Sequence, residues 1–349
     1  MLDALRAPTE QDRQRLPQPY PGDARSAPRI HLTPPSTIFQ KDILPKVAVL
    51  MCTLRGQHFL SAQLNSIAAQ NLASWHLWVS DDGSSDRTRA ILEEYRAAWG
   101  KDRISIHDGP QEGFVANFLS LTCKADVEAN YYAYADQDDV WESDKLQRAV
   151  RWLDTIPRDI PALYCSRTRL VDAHEHEIGL SPLFPKSPGF ANALVQNIGG
   201  GNTMVFNHAA RMLLCEAGHD VNVVAHDWWA YMVITGCGGQ VFYDANPSVL
   251  YRQHQNNQIG SGATLSDRLA RMGKLLQGRF REWNDINTSA LQSIRHRLTP
   301  QNRRILDNFC AARNSWLLPR LVGLQRSRVY RQTVFGNMSL IAAAVLKKL

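Results

Sequence analysis

The sequence lacks the marks of a disulfide-bonded, exported or membrane-spanning protein. Its 349 residues include six cysteines, at positions 52, 123, 165, 215, 237 and 310. No two stand at CxxC spacing, which speaks against a zinc knuckle or a thioredoxin-type motif. Scattered single cysteines fit a reducing compartment, where a free thiol behaves as a small apolar core residue. No apolar run of about 18 residues occurs, so no membrane span is expected. The first 45 residues are polar, hold eight of the 17 prolines and have no apolar h-region of a secretory signal. They read as a flexible tail, residues 1–45. There is no internal repeat.

What is present is a globular composition, 44% hydrophobic and 21% charged, long enough to bury a sizeable core. The net charge of +6 is unevenly spread. From residue 265 onward there are 16 Lys/Arg and four Asp/Glu, while the first 264 residues carry a net −6. A basic C-terminal segment behind an acidic domain suggests a negatively charged neighbour, nucleic acid or anionic lipid, or else a solvated helical surface. The segment has no interleaved aromatic platform or binding motif for nucleic acid, so no nucleic-acid partner is expected.

From Lys46 the hydrophobic pattern alternates between strand and helix. "VAVLMC" (Val47–Cys52) is a continuous apolar run, as a strand buried on both faces requires. "FLSAQLNSIAAQ" places Leu60, Leu64, Ile67 and Ala68 on one helical face. Strands "WHLWVS", "ISI" and "YYAYA" follow, separated by helical patterns at "SSDRTRAILEEYRAAW" and "FVANFLSLTC" and followed by "DKLQRAVRWL". This alternation predicts a mostly parallel sheet flanked by helices, with ligands at the carboxyl ends of its strands. Later strand candidates are "ALYCS", "NTMVF", "QVFYD" and "SVLYR"; "HDWWAYMVI" should be a helix.

Carboxylates crowd these strand ends. Asp136, Asp138 and Asp139 fall within four positions, just past "YYAYA". Such a cluster binds a hard divalent cation, caps the following helix, or is simply solvated; its place after a buried strand and opposite a second acidic strand end favours the cation. "DDGSSD" (Asp81–Asp86) taken alone is an ordinary turn and helix cap; compatibly, one Asp can accept hydrogen bonds from a base or ribose while Ser85 or Asp86 caps the helix. Asp227, between His226 and two tryptophans, is either an N-terminal helix carboxylate or a partly desolvated one suited to general-base work. "YRQHQNNQIG" packs Arg252 and His254 into a strand-to-loop transition, where Arg252 suits phosphate and His254 suits metal, phosphate or a structural role.

Together these motifs resemble family 2 glycosyltransferases of the GT-A fold, over roughly Lys46–Gly260. "VAVLMCTLRGQHFLSAQLNSIAAQ" resembles the family's first strand and helix, "VSDDGSSD" its nucleotide-binding turn, "DQDD" its DxD motif, and "HDWW" the motif of its catalytic base. "YRQHQNNQIG" and "GFVANFLSL" resemble the rhamnosyltransferase-like subgroup. The resemblance implies a GT-A domain at residues 46–264, with a Rossmann-like sheet, and a helical basic segment at 265–349. It implies Cys52, Thr53, Leu54, Asp81 and Asp82 around the base, Asp136 and Arg252 at the diphosphate, and Asp138, Asp136 and His254 around Mg²⁺ or Mn²⁺. Asp227 would be the base of an inverting single displacement. Gly199, Gly200, Gly201, Asn202 and Trp228 would lie on the acceptor side.

The donor implied is dTDP-rhamnose and the acceptor a polysaccharide or lipid-linked glycan of the cell surface. Alternatives are a UDP-hexose donor in the same fold, a sugar-1-phosphate nucleotidyltransferase, or a non-catalytic glycan- or nucleotide-binding module. The family's Tyr-Asn before the first-strand glycine is here "TLRG", so no aromatic ring stacks on the base at Leu54. At the C-terminus, Val334, Phe335, Met338, Ile341 and Val345 share a helical face followed by Lys347 and Lys348. That helix either lies in a membrane interface or packs on protein. The expected location is cytoplasmic, with peripheral contact on the cytoplasmic face of the inner membrane.

Overall fold

A computed structural model describes residues 46–253 and 279–349. Its strands are β1 (Val47–Thr53), β2 (Trp75–Asp81), β3 (Ile104–Asp108), β4 (Tyr131–Ala135), β5 (Val140–Trp141), β6 (Ala162–Val171), β7 (Glu177–Leu180), β8 (Val205–Asn207) and β9 (Gln240–Arg252). The helices are α1 (Leu60–Ala68), α2 (Thr88–Trp99), α3 (Phe114–Cys123), α4 (Lys145–Leu153), α5 (Phe190–Ala193), α6 (His208–Ala217), α7 (His226–Gly236), α8 (Arg279–Ser293), α9 (Pro300–Asn314), α10 (Leu317–Ser327) and α11 (Val334–Val345). One sheet runs β3-β2-β1-β4-β8-β6-β9-β5, with β7 on β6.

The first four strands of that order explain the continuous apolar runs. β1 pairs in parallel with β2 and β4, and β2 with β3. Because successive side chains point to opposite faces, β1 feeds two cores. Val47, Val49 and Met51 join Leu64 of α1, Tyr95 of α2 and Leu146 of α4. Ala48, Leu50 and Cys52 join Phe118 of α3, Leu214 of α6 and Trp229 of α7. β4 repeats the division, with Ala133 and Ala135 on the first side and Tyr132 and Tyr134 on the second. A strand with helices on both faces has no wet side, so it cannot alternate apolar and polar residues.

The second half turns the sheet mixed. β8 runs antiparallel to both β4 and β6, while β9 runs parallel to β6 and antiparallel to β5. "QVFYD" and "SVLYR" are one strand rather than two. Its pairing with β6 shifts register between Ser166 and Thr168, and the irregularity takes up Pro247, which has no N–H to donate to a ladder. "ALYCS" continues to Val171, and the first residues of "NTMVF" form a 3₁₀ turn, Gly201–Thr203, before β8. α6 gave little pattern in sequence; Asn207 caps it, accepting from Ala210 N at 3.0 Å.

The described C-terminal helices share the α3/α6/α7 core through Leu291, Leu306, Phe309, Leu324 and Leu340. Asn302 Nδ2 donates to the carbonyls of Thr235 and Gly236 at 2.9 and 3.0 Å, closing the end of α7. Among the described residues no helix is long and apolar enough to cross a membrane. All six cysteines are free thiols.

Leu50 is fully buried at the middle of β1. Leu50→Ala should therefore cost about 2–5 kcal/mol, read as a lower denaturation midpoint at unchanged slope. A cost below about 1 kcal/mol would contradict a closely packed core on the α3/α7 face.

Candidate functional site

The parallel pairings put strand ends on one edge. Thr53 lies opposite Asp81, and Asp81 opposite Asp108; Met51 lies opposite Ala135. The carboxylates that follow each strand therefore emerge together.

Asp81 and Asp82 are both buried and both tied to the chain. Asp81 accepts from Thr53 Oγ1 at 2.8 Å, Ser84 Oγ at 2.6 Å and Ser84 N at 3.1 Å. Asp82 accepts from Gln111 N at 2.7 Å and Gly113 N at 3.1 Å. A carboxylate offers about four acceptor positions, so Asp82 retains more capacity for a ligand than Asp81. Asp86 holds the next turn, accepting from Thr88 N and Thr88 Oγ1. Cys52 is buried, and burial first, then Asp136 and Asp82, push its thiol well above its ordinary range. It is a neutral wall between the two acidic turns.

Leu54 is 46% exposed, beside the loop that follows β4. Gln137 clamps the two segments, accepting from Leu54 N and donating to Leu54 O, both at 2.9 Å. A Cβ at Gly56 would come within 2.2 Å of the Gln137 Oε1, so the glycine of "TLRG" is what lets the clamp close. Gln137 stood inside "DQDD" as an apparent spacer; its position between the acids was the only hint of this role.

The three carboxylates of the β4 loop divide their tasks. Asp136 keeps part of its surface open while protein surrounds its carboxyl group. Burial, then Asp138 and Asp227, push it up to about 7. Asp139 is fully buried and turned inward. It accepts from Asn202 Nδ2 at 2.5 Å and Arg252 N at 3.3 Å, latching the loop to the 3₁₀ turn and to β9. Burial, then Asp138 and Asp136, hold Asp139 well above the usual carboxylate range.

Behind this loop lies a residue that sequence pattern assigned merely to a helix. Lys145, the first residue of α4, is 0% exposed, its Nζ 3.5 Å from the centroid of the Trp141 ring. Burial drives its ammonium toward the neutral form, and Asp139 and Asp136 act against that. It is buried behind the acidic loop with no hydrogen-bond partner for its Nζ among the described residues.

Asp227 is buried in the first turn of α7, where the helix N-terminus favours negative charge. It accepts from Gly201 N at 3.0 Å and Trp228 N at 2.6 Å. Burial nonetheless raises it to about 6. Asp227 acts on Asp136 electrostatically, and Tyr251 senses Asp139, Asp136, Asp138 and Asp227 together. The acidic loop, the start of α7 and the end of β9 therefore meet. His226 is stacked on Phe118, centroids 3.9 Å apart, with Tyr134 edge-on at 4.8 Å; burial lowers it to about 3, so it is neutral.

The glycine cluster serves this junction more than open space. A Cβ on Gly201 would lie 2.6 Å from His226 Nε2, and one on Gly200 2.6 Å from Asn202 Oδ1. A Cβ on Gly199 would stand 3.2 Å from Thr203 Oγ1, and only Gly200 of the three is exposed. Trp228, expected beside the acceptor, is instead buried. Its indole donates to Ala193 O at 2.7 Å and it faces Trp283, because the α7 turn that points Asp227 at the site points Trp228 into the core. Arg252, expected at the diphosphate, is 2% exposed. Its guanidinium donates to the carbonyls of Asp138 and Ala173 and to Glu175 Oε1 at 2.9 to 3.1 Å. A phosphate would reach it only by displacing these partners. His254 lies outside the described residues.

Among the described residues no three His, Cys, Asp or Glu side chains form a metal-binding group. Asp136 and Asp138 still fit a cation held by one or two carboxylates and a substrate diphosphate, since among the described residues the buried Asp136 carboxyl feels the like charges of Asp138 and Asp227 more strongly than the opposing Lys145.

Residues 48–217 match the model of glycosyl transferase family 2. The chain carries a family 2 glycosyltransferase domain. It is 27% identical over 233 residues to the dTDP-rhamnosyl transferase RfbG of Shigella flexneri, covering 64% of this chain and 78% of that protein. It is 29% identical over 104 residues to the UDP-Glc:alpha-D-GlcNAc-diphosphoundecaprenol beta-1,3-glucosyltransferase WfgD of Escherichia coli, covering 30% of this chain and 39% of that one. A Pyrobaculum calidifontis mannosyltransferase, solved with GDP-Man and Mn²⁺, superposes with a TM-score of 0.46 at 16% identity over 90% of this chain and 89% of that one. The glycosyltransferase has the GT-A arrangement expected from its motifs, an α/β sheet with helices on both faces and helices after it.

Asp136 has a folded pKa above its unfolded value, so the folded state binds the extra proton between about pH 4 and pH 7 and stability is lost as pH rises through that window. Asp136→Asn should stabilise the metal-free enzyme at pH 8 by on the order of 1–4 kcal/mol and change little at pH 4. Thermal or denaturant melts at the two pH values decide it. Equal effects at both would mean that Asp136 carries no charge penalty in the fold.

Proposed function

We propose that the enzyme is an inverting, metal-dependent glycosyltransferase that moves L-rhamnose from dTDP-rhamnose to a polysaccharide or lipid-linked glycan of the cell surface. The observation that carries the reaction class is the meeting of a raised, hydrogen-bonded Asp227 with the Asp136–Asp138 loop at one edge of the sheet. The donor sugar is supported by the likeness to a dTDP-rhamnosyl transferase over 64% of the chain.

In this reading Asp82 and the backbone around Thr53 and Leu54 hold the nucleoside. Asp136 and Asp138 hold Mg²⁺ or Mn²⁺, which when bound neutralises charge on the departing nucleoside diphosphate. Asp227 orients the acceptor hydroxyl and takes its proton as it attacks the anomeric carbon from the face opposite the leaving group. Gly201 N and Trp228 N fix both oxygens of Asp227, so the base does not rotate away from its substrate. Asp139, Lys145 and Gln137 are positioning residues that keep the loop in place.

One observation favours a second donor in the same site. Leu54 gives an aliphatic, exposed contact where the base would lie, and it selects weakly between thymine and uracil. A UDP-hexose is therefore the alternative, consistent with the shorter likeness to a glucosyltransferase named for UDP-Glc.

Asp227→Asn tests the mechanism. It should bind nucleotide as the wild type does and lose about 100-fold or more in turnover. The wild-type kcat/KM should rise with pH through about 6, because the carboxyl must be deprotonated to accept the proton. Unaltered turnover, or a rate flat between pH 5 and 8, would remove Asp227 from that role.

A further inference from the structure

α11 turns an apolar face outward. Val334, Phe335, Met338, Ile341, Val345 and Leu346 are 48 to 78% exposed. Their spacing of three and four residues places them along one side of the helix and its C-cap. The other side, Leu340, Ala343 and Ala344, is buried in the core. Every exposed position of α11 is apolar; Asn337 and Ser339 are half-buried. Single exposed apolar side chains need no explanation, but a contiguous face of them does. α10 adds exposed Leu318 and Val322, with Trp316, 68% exposed, at its N-cap.

The charge around this face has one sign. From Ser315 to Leu349 the sequence has Arg320, Arg326, Arg328, Arg331, Lys347 and Lys348 and no Asp or Glu. Arg320 is spent inside, donating to Ala344 O at 2.7 Å and pinning α10 to α11. Arg326, Arg328 and Lys347 are exposed, and Lys348 is half-buried.

We propose that this face docks on an anionic lipid bilayer. At 12 residues α11 is about 18 Å long, too short for a hydrocarbon core of about 30 Å, so it lies in the plane of the interface. Its apolar side chains enter the acyl boundary and the flanking cations meet the headgroups. Trp316 is of the type that settles at that depth. A second copy of the chain is the rival occupant. A twofold contact would set this all-cationic segment against itself, and the like charges would oppose pairing. An anionic surface supplies the missing charge. The inference does not depend on which sugar is transferred.

The test is flotation of the full chain with phosphatidylcholine vesicles, with or without about 30% phosphatidylglycerol. The wild type should partition into the anionic vesicles at least about tenfold better than into the neutral ones, and high salt should erase most of the difference. Phe335→Glu with Met338→Glu should abolish binding while keeping the melting temperature and transfer to a soluble acceptor. Lys347→Glu with Lys348→Glu should weaken it about tenfold. Folded wild type that ignores both vesicles, or binds both equally, overturns the proposal. So does a dimer that Phe335→Glu with Met338→Glu dissolves in the absence of any vesicle binding, which would assign the face to a second copy.

Discussion

Everything at the edge of this sheet answers to negative charge held out of water. Five carboxylates, Asp81, Asp82, Asp136, Asp139 and Asp227, are buried or surrounded by protein. Fully solvated they would affect one another only weakly; here burial, then Asp138 and Asp227, raise the proton affinity of Asp136, and burial, then Asp138 and Asp136, raise that of Asp139. Each is tolerated in a different way. Asp81, Asp82 and Asp227 accept backbone N–H groups, which satisfy their buried oxygens. Asp139 is held by Asn202 Nδ2 on one oxygen and Arg252 N on the other. Asp136 has the least internal compensation and the most open surface, which is where an external cation is useful.

That division sorts what sequence could and could not reveal. The parallel strands were legible because a strand covered on both faces is apolar at every position, and β4 and α3 match their patterns residue for residue. The acidic strand ends were legible because turns after buried strands have few reasons to collect carboxylates. Direction was not legible. Asp138 and Asp139 are adjacent and chemically identical, yet Asp139 points into the protein. Trp228 follows Asp227 by one residue, and on a helix that step rotates a side chain from the site into the core. Lys145 read as the polar start of an amphipathic helix because no local pattern marks a buried lysine. "QVFYD" and "SVLYR" read as two strands because the bulge that joins them across Pro247 depends on pairing with distant β6.

The C-terminal helices join this edge to the rest of the molecule. They share the core beneath α7, so the helix that carries Asp227 is held from below by α8 and α9. The same helices leave a hydrophobic and cationic face outside. A glycan built on a lipid carrier would be presented at such a surface, which would put donor site, base and membrane contact within one compact unit of the chain.

The central claim is that the carboxylate cluster is compensated by a cation together with a nucleotide-sugar. The most direct measurement is the melting temperature of the folded enzyme with dTDP, UDP or GDP, each with Mn²⁺, Mg²⁺ or EDTA. A ligand that binds only the folded state raises that temperature. The account predicts a rise with dTDP that EDTA abolishes. A rise with UDP alone would keep the site and change the donor, whereas no rise with any nucleotide and metal would contradict the account.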